Sequence, residues 1–274
     1  MNIFYNASEI ASLINKNPYK LQQESIEDVL CRIGKKPNMK DINKFNNITK
    51  DELVILLESF RNQSLLKDES YNDLKTTVKN TKHEDVAKIS KKLFETVANQ
   101  SIETKTNNES KVIQKKIETK IDTIMDKKNM KEVKEYVGGF INKQRGIKNE
   151  NKIIDDYEKI KKTKITNNND CLYKKHIFSI KDYNFYICGK IDGIEKDELI
   201  EIKNRRNRLF TFIPEYEQIQ IQIYLQLTDL KKGKLVQNYD GQQSSFNFNI
   251  NHELWNNIIK ELYNVSLYIK ENIF

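Results

Sequence analysis

The chain has few of the residues that build metal clusters, disulfide frameworks or rigid loops. Its 274 residues contain three cysteines, three histidines and three prolines. Cys31, Cys171 and Cys188 lie far apart, with no CxxC pair and no cluster of cysteine and histidine. This scatter argues against a structural zinc site and against an iron–sulfur cluster. An odd number of cysteines without a secretion signal favours a reducing, intracellular compartment.

Long apolar runs are missing as well. No stretch approaches the 18 apolar residues typical of a membrane-spanning helix, so we expect no membrane partner. Residues 1–5 lack the charged region and the apolar core of a signal peptide. Hydrophobic residues make up 38% of the chain. This is low for a compact globule and predicts that some segments are solvated helix.

The charge balance is moderately basic. Lysine and arginine outnumber aspartate and glutamate by 47 to 39, which gives a formal net charge of +8. The excess is spread along the chain and does not form a basic tail. Such a balance is compatible with a nucleic-acid partner but does not require one.

The spacing of apolar residues predicts three regions. Residues 1–20 form an N-terminal helix that begins near Asn6, a good N-cap residue. Residues 21–140 are charged and poor in aromatic residues, and we expect a largely solvated helical insertion with loops at 76–82 and 106–110. Residues 141–274 form the third region, which mixes helical and extended patterns. Gly138 and Gly139 predict a break between the insertion and the helix that follows it.

The C-terminal region alternates between helical and extended patterns. We expect a helix over 142–162, strands over 172–180 and 183–191, a helix over 215–227 opened by Pro214, a strand over 234–239 and a helix over 254–269. The first of these helices carries an apolar stripe comprising Ile147, Ile153, Ile154, Tyr157 and Ile160. Glu150 borders that stripe.

A predicted hairpin carries the residues with the clearest chemistry. Two apolar runs flank the polar tip at 195–198, which is typical of two strands joined by a tight turn. Alternation places Glu201 and Lys203 on one face of the second strand, near Asp192 at the end of the first. Clustered carboxylates disfavour each other's ionisation, and a hard divalent cation, Mg²⁺ or Mn²⁺, resolves that conflict.

Each of these features also has a simpler interpretation. A D…ExK spacing occurs by chance in lysine-rich chains, and the hairpin face could then be an ordinary solvated surface. Glu150 could be a charge on the flank of a helix whose carboxylate reaches solvent. The basic run at 204–208 could consist of ordinary loop charges.

The order of the motifs resembles the PD-(D/E)xK nuclease superfamily, and within it the lambda-type exonucleases, also called viral recombinase or alkaline exonuclease-like proteins. Residues 145–150, Arg-Gly-Ile-Lys-Asn-Glu, match the RG-xxx-E helix of that family. Ile191-Asp192-Gly193 matches its (P)DG motif, and Glu201-Ile202-Lys203 matches ExK. Residues 220–224, Gln-Ile-Gln-Ile-Tyr, match its QxQ helix. A weaker match, Asn6-Ala7-Ser8-Glu9-Ile10, lies near the N-terminus.

This resemblance implies an α/β fold with a restriction-endonuclease-like core, in which a central mixed sheet is flanked by helices and carries a large helical, charged insertion. It implies a magnesium-dependent deoxyribonuclease, most directly a 5′-3′ exonuclease on duplex DNA ends. The implied metal ligands are Glu150, Asp192, Glu201 and the carbonyl of Ile202. The implied catalytic residues are Glu150, Asp192, Glu201, Lys203 and Gln220. The implied DNA contacts are Ser8, Arg145, Arg205, Arg206, Arg208 and Tyr224.

The resemblance also implies partners and a setting. Related exonucleases form ring-shaped trimers on double-stranded DNA and act in viral or phage-type recombination, replication or repair, in some cases beside a single-strand annealing protein. One departure concerns the Arg-x-Gly that usually precedes the N-terminal motif and helps to capture a 5′-phosphate. Only residues 1–5 precede it here, and none is arginine.

Three alternatives remain open at this point. A site-specific endonuclease of the same superfamily would carry the same motifs. A CRISPR-associated iron–sulfur nuclease is disfavoured because no set of four cysteines exists. A catalytically inactive basic DNA-binding protein is the third alternative, and the intact Asp192, Glu201 and Lys203 argue against it.

Overall fold

A computed structural model describes residues 1–35, 40–80, 85–125, 127–166 and 170–272. In chain order the elements are β1 (Asn2–Asn6), α1 (Ile10–Leu13), α2 (Gln22–Arg32), α3 (Lys40–Asn43), α4 (Lys50–Asn62), α5 (Asp68–Lys79), α6 (Val86–Ile102), α7 (Asn107–Ile124), α8 (Lys127–Lys161), β2 (Tyr173–Ile180), β3 (Tyr183–Gly189), β4 (Gly193–Glu195), β5 (Glu198–Asn204), α9 (Glu215–Thr228), β6 (Lys232–Tyr239), β7 (Gln242–Asn249) and α10 (His252–Glu271).

The chain divides into two compact units. One contains residues 1–38 and 150–274, and the other contains residues 39–149. These boundaries differ from the predicted insertion at 21–140. Helix α2 belongs to the first unit because Ile26, Val29 and Leu30 pack into its hydrophobic core. Glu150 also belongs to this unit.

The first unit has an α/β fold with mixed sheets and flanking helices, which confirms the predicted fold class. One sheet has the order β1-β3-β2, with β1 parallel to β3 and β2 antiparallel to it. The other has the order β4-β5-β6-β7, with β5 parallel to β6 and the remaining pairs antiparallel. The described strands thus form two sheets of three and four strands, where a single central sheet was predicted.

Helix α9 lies at the centre of the first unit. Its side chains are buried almost all round, as expected of a helix enclosed by other elements. Ile219, Ile223 and Leu225 join the core that the first sheet, α1, α2 and α10 share. The Ile/Gln alternation of this segment resembles a strand, but the helix predicted from Pro214 and the 3.6-residue spacing is confirmed.

Helix α8 covers the second sheet. Ile153, Ile154 and Tyr157 form a separate apolar cluster with Ile200, Ile202 and Val236 of β5 and β6. Ile147 and Ile160, which were predicted on the same stripe, are instead exposed. The contact with the sheet is therefore confined to about one and a half turns, and Glu150 lies one turn before it.

The second unit is helical. Helices α4, α5, α6 and α7 share a core with the part of α8 before residue 150; its largest fully buried side chains are Tyr71, Phe45, Phe60 and Phe94. Asn107 begins α7, because Thr106 forms a capping box with Glu109. The predicted loop at 106–110 was therefore wrong. The predicted loop at 76–82 is helical up to Lys79, and residues 81 and 82 lie outside the described residues.

Both ends of the chain contain strands that the sequence did not predict. Residues 2–6 form β1, in which Ile3 and Tyr5 point into the core. The expected helix is reduced to a turn at 7–9 and the short α1, although Asn6 and Glu9 do form a capping box. Strand β7 completes the second sheet beside β6. Within the described ranges no helix is both long and apolar enough to cross a membrane.

Gly138 and Gly139 do not break a helix, since α8 runs through both. We predict that Gly139→Ala raises the free energy of unfolding by about 1 kcal/mol, because glycine in a helix interior loses more backbone entropy on folding than alanine. A Cβ at Gly139 meets no atom within 4 Å. Denaturant unfolding of the full chain measures the change.

Gly138→Ala is the matched control. A Cβ there would lie 3.2 Å from Nε2 of Gln114, so that side chain must shift and the gain should be smaller. A loss of stability in Gly139→Ala would contradict the continuous helix.

Candidate active site

Strand β5 presents two kinds of residue on its two faces. Ile200 and Ile202 pack against α8, while Glu201 and Lys203 point to the other side, toward α9. This alternation is the pattern predicted from the period-2 geometry of a strand. Glu201 is nearly fully buried and the Lys203 side chain is largely buried. The catalytic-type residues therefore lie inside the fold and not on a solvated hairpin surface.

Asp192 lies immediately before β4 and is also buried. Its Oδ2 accepts a hydrogen bond from the backbone N–H of Ile202 at 2.6 Å, which joins the two strands of the hairpin at this carboxylate. The next residue must be glycine for steric reasons. A Cβ at Gly193 would lie 2.1 Å from Cγ2 of Ile165.

Lys203 connects the strand to helix α9. Its Nζ donates to Oε1 of Glu201 at 2.7 Å and to Oε1 of Gln220 at 3.0 Å. Nε2 of Gln220 in turn donates to the hydroxyl of Tyr224 at 3.2 Å. Gln220 and Tyr224 are one helical turn apart, so a single face of α9 orients the ammonium group.

Glu150 reaches this site from α8, 42 residues before Asp192 in the chain. The pKa of Asp192 is raised to about 7, first by burial and then by the charge of the neighbouring Glu150 carboxylate and a hydrogen bond to it. The structure thus brings Glu150 of α8 close enough to interact with Asp192 of the hairpin. Glu150 itself is half-buried.

The two buried carboxylates on the hairpin also disfavour each other's charge. Burial, followed by the charge of Asp192, raises the pKa of Glu201 to about 8. Burial opposes the charge of Lys203, but the carboxylates of Glu201 and Asp192 raise its pKa overall. Oε2 of Glu201 is buried and has no hydrogen-bond partner among the described residues. The lysine therefore compensates only part of the negative charge.

A divalent cation fits this donor set chemically. Hard carboxylate oxygens suit Mg²⁺ or Mn²⁺, and the uncompensated oxygen of Glu201 is an available ligand. In the part of the chain that the structure describes, no three His, Cys, Asp or Glu side chains are already gathered as a metal-binding group. Metal binding would thus need a local adjustment of Glu150, Asp192 or Glu201.

The prediction that Arg205 contacts DNA was wrong, because its side chain is buried. Its guanidinium is buried and makes a bidentate ion pair with Glu217 of α9, at 2.5 and 2.7 Å. Nε donates to Oε1 of Gln237 on β6 at 2.9 Å, and the ring of Phe210 covers the guanidinium. Arg205 therefore holds the loop after β5 against α9 and β6.

The prediction that Arg145 contacts DNA was wrong for a similar reason. It is buried in the helical unit, where it donates to the backbone carbonyls of Ser101 and Thr104 and to Oγ1 of Thr104. These contacts satisfy the C-terminal carbonyls of α6. In both cases a buried arginine in a charged stretch was interpreted as a surface residue.

The other predicted DNA contacts have mixed positions. Ser8 and Arg208 are exposed, and Arg206 is half-buried. Tyr224 is buried, and its ring lies beside Gly189, where a Cβ would come within 2.8 Å of the ring. This tyrosine positions Gln220 and is not available to a DNA strand.

Some residues near the site were missed from the sequence. Glu9 is buried, accepts from the Asn6 N–H and pairs with Arg32, whose guanidinium also reaches the carbonyl of Phe4. The spacing of Asn6 and Glu9 is the signal that would have indicated a capping box at the helix start. No local pattern indicates that Arg32, at the end of α2, reaches the same turn.

Solved structures with similar folds are found at low sequence identity. The crystal structure of SSO0001 matches with 17% identity and a TM-score of 0.38, over 48% of this chain and 64% of that one. The fold is also similar to that of an alkaline exonuclease. LHK-Exo from Laribacter hongkongensis matches with 16% identity and a TM-score of 0.39, over 64% of this chain and 86% of that one.

The structure of LHK-Exo in complex with dAMP gives the same identity and TM-score, with 87% of that chain covered. No family model and no curated sequence matches this chain. The likenesses concern the fold alone. The chemistry of the site depends on the side chains described above.

We predict that Arg205→Met lowers the free energy of unfolding by about 3–5 kcal/mol, because it leaves the buried carboxylate of Glu217 without its partner. Arg208→Met is the matched control, since Arg208 is exposed on the same loop. It should change stability by less than about 0.5 kcal/mol. Urea unfolding of the two variants measures the difference. Equal stabilities would show that Arg205 is a surface charge after all.

Proposed function

We propose that this chain is a metal-dependent DNA nuclease, and that it degrades duplex DNA from its ends as a 5′-3′ exonuclease. The observation that supports this proposal is the cluster of Asp192, Glu201 and Lys203, buried on one face of β5 and joined by Glu150 and Gln220. A fold rarely gains stability from two buried carboxylates whose pKa values are raised by burial and by neighbouring acids. Such a group is a candidate for a functional site.

Asp192 and Glu201 would hold the cation, with Glu150 and the carbonyl of Ile202 completing the protein ligands. When bound, Mg²⁺ would neutralise the charge of the scissile phosphate and make a coordinated water more acidic. Without a cation, the two acids relieve their repulsion by taking up protons, as their raised pKa values indicate. A divalent cation would instead let both carboxylates stay ionised.

Lys203 supplies a fixed positive charge beside the phosphate. Its ammonium is held between a carboxylate oxygen of Glu201 and the amide oxygen of Gln220, so its direction is set before substrate binds. A preorganised charge stabilises the negative charge that develops in the transition state. One of its three N–H groups remains free of these two contacts and can orient the attacking water.

The preference for ends, the 5′-3′ direction and a role in viral or phage-type recombination come from the family resemblance and belong to the proposal. The ring trimer and the single-strand annealing partner stay predictions. Linear and circular duplexes of the same sequence distinguish the exonuclease from the endonuclease: degradation of the closed circle at the rate of the linear form would favour the endonuclease.

We predict that Lys203→Met lowers the single-turnover cleavage rate about 10²–10³-fold, because one preorganised electrostatic contact is worth about that much. The aliphatic stem is kept, so β5 should pack as before. DNA affinity should change little. Measuring both quantities at saturating Mg²⁺ separates chemistry from binding. Cleavage at the wild-type rate would show that Lys203 has no part in the reaction.

We predict that Glu150→Gln raises the Mg²⁺ concentration needed for half-maximal cleavage and lowers the maximal rate, because the substitution removes one carboxylate charge beside Asp192. Asp155→Asn is the matched control: it lies on the same helix, is exposed, and should leave both quantities unchanged. Mg²⁺ titrations of cleavage measure the effect. If the two variants behave alike, Glu150 is not a metal ligand.

A further inference from the structure

A cavity of about 830 Å³ lies in the first unit, between the turn after α1 and the loop after β5. Its lining includes Tyr19, Leu21, Phe212 and Tyr216. The volume is in the range of ligand-binding pockets in proteins. We call this the aromatic cavity. None of the residues assigned above to catalysis or to metal binding lines it.

The aromatic cavity gathers the most exposed large apolar side chains of the described residues. Tyr19 is 81% exposed, and Leu21 and Phe212 are each 70% exposed. Tyr19 touches Tyr216 edge to face, with ring centroids 5.7 Å apart. Single exposed apolar residues need no explanation, but several that share one concave surface indicate a binding site.

Phe212 is held in this exposed position by its neighbours. The backbone of Phe210 donates to Oε1 of Gln237 at 3.0 Å and accepts from its Nε2 at 2.7 Å. Ile213 is buried, and its carbonyl accepts from Gln218 at 2.7 Å. Two anchored residues therefore flank Phe212, and the loop cannot easily fold its ring into the core.

Charge distinguishes the aromatic cavity from a purely apolar groove. Three cations, Lys16, Lys20 and Arg208, line it together with one carboxylate, Glu215. Lys16 pairs with Glu215 at 3.1 Å, and Lys20 pairs with Asp28 at 2.6 Å. The first pair is exposed and therefore weak, so an incoming phosphate can compete for Lys16, while the second pair is half-buried. Arg208 is exposed.

The aromatic cavity adjoins the candidate active site through helix α9. Tyr216 and Gln220 are four residues apart and lie on one face of the helix, about 6 Å from each other along its axis. Gln220 contacts Lys203. Successive nucleotides of a stacked strand are about 3.4 Å apart, so a strand at Lys203 reaches Tyr216 within about two nucleotides.

We propose that the aromatic cavity binds unpaired nucleotides of a DNA strand whose scissile phosphate lies at Lys203. Aromatic rings interleaved with cations are the usual means of binding single-stranded nucleic acid, by base stacking and phosphate contact. Inside a duplex, a paired base shows its faces only to its neighbours, so Tyr19 and Phe212 can stack on an unpaired base but not on an internal base pair. The placement of the strand rests on the proposed nuclease function, but stacking in the cavity can be measured without cleavage.

The experiment measures equilibrium binding to the full-length Asp192→Asn chain in EDTA, so that no strand is cut. The probes are a fluorescent oligothymidylate, an abasic strand of equal length and a blunt duplex. Phe212→Ala and Tyr19→Ala should each weaken oligothymidylate binding about 5- to 100-fold, as expected for the loss of one base–aromatic stack. Phe212→Trp should retain the affinity.

Two comparisons isolate stacking from charge. The abasic strand should bind the parent more weakly than oligothymidylate does, and Phe212→Ala should not weaken its binding further. Arg208→Gln should lower the salt dependence of binding to the normal and the abasic strand alike, since a phosphate contact acts through counterion release. Tyr263→Ala, which removes a half-exposed ring on α10, is the control and should have no effect.

The proposal is overturned if Phe212→Ala binds oligothymidylate like the parent, or if it weakens the abasic strand and the duplex by the same factor. It is also overturned if Phe212→Ala leaves DNA binding unchanged but alters the mass of the protein in solution. The cavity would then be a contact between copies of the chain. Cleavage by the wild-type chain tests the nuclease function separately. If the wild-type chain cleaves DNA but Phe212→Ala does not change binding, the nuclease function stands and only the proposed role of the aromatic cavity is rejected.

Discussion

The main physical constraint on this fold is the burial of two carboxylates, Asp192 and Glu201, beside a single lysine, Lys203. Each carboxylate loses hydration beside another acid, Glu150 for Asp192 and Asp192 for Glu201, so both pKa values lie well above those of exposed acids. Lys203 compensates one oxygen of Glu201 and leaves Oε2 without a hydrogen bond. An uncompensated buried oxygen costs stability, and other parts of the fold must offset that cost.

The offset comes from the two helices that cover β5. Helix α8 covers one face through Ile153, Ile154 and Tyr157, and α9, which is buried almost all round, covers the other. The same two helices deliver the polar residues, since Glu150 precedes the apolar contact of α8 and Gln220 lies on α9. Packing and chemistry are therefore not separable here: the contacts that bury the carboxylates also bring Glu150 and Gln220 to them.

Local patterns were enough to predict the hairpin, the alternation along β5 and the helix after Pro214, because each depends on residues within a few positions of one another. The order of the motifs added Glu150. What local patterns could not predict depends on partners distant in sequence. Residues 2–6 are a strand only because β3 pairs with them, and Gly138 and Gly139 are helical because the surrounding turns of α8 pack into a core.

Arginine shows the same limit most clearly. From sequence, Arg205 is one of several cations in a basic run, and nothing near it distinguishes it from Arg208. In the fold it meets Glu217, twelve residues away, and Gln237, 32 residues away, and becomes the buried support of the loop. A charged stretch can therefore contain both a structural residue and a surface residue, and only long-range pairing separates them.

That buried support has a consequence for the surface beside the site. Arg205 and Gln237 fix Phe210, and Gln218 fixes Ile213, so the chain between them must direct Phe212 outward. Exposing a phenylalanine ring to water costs free energy, which burial of the ring would recover. Here, moving the loop to bury Phe212 would disturb Phe210, which covers the guanidinium of the buried Arg205–Glu217 ion pair. The loop after β5 thus connects Lys203, which faces the carboxylates, to an aromatic surface that stays exposed. Because this loop is already held in place, a ligand that binds there would pay a smaller entropic cost for ordering it.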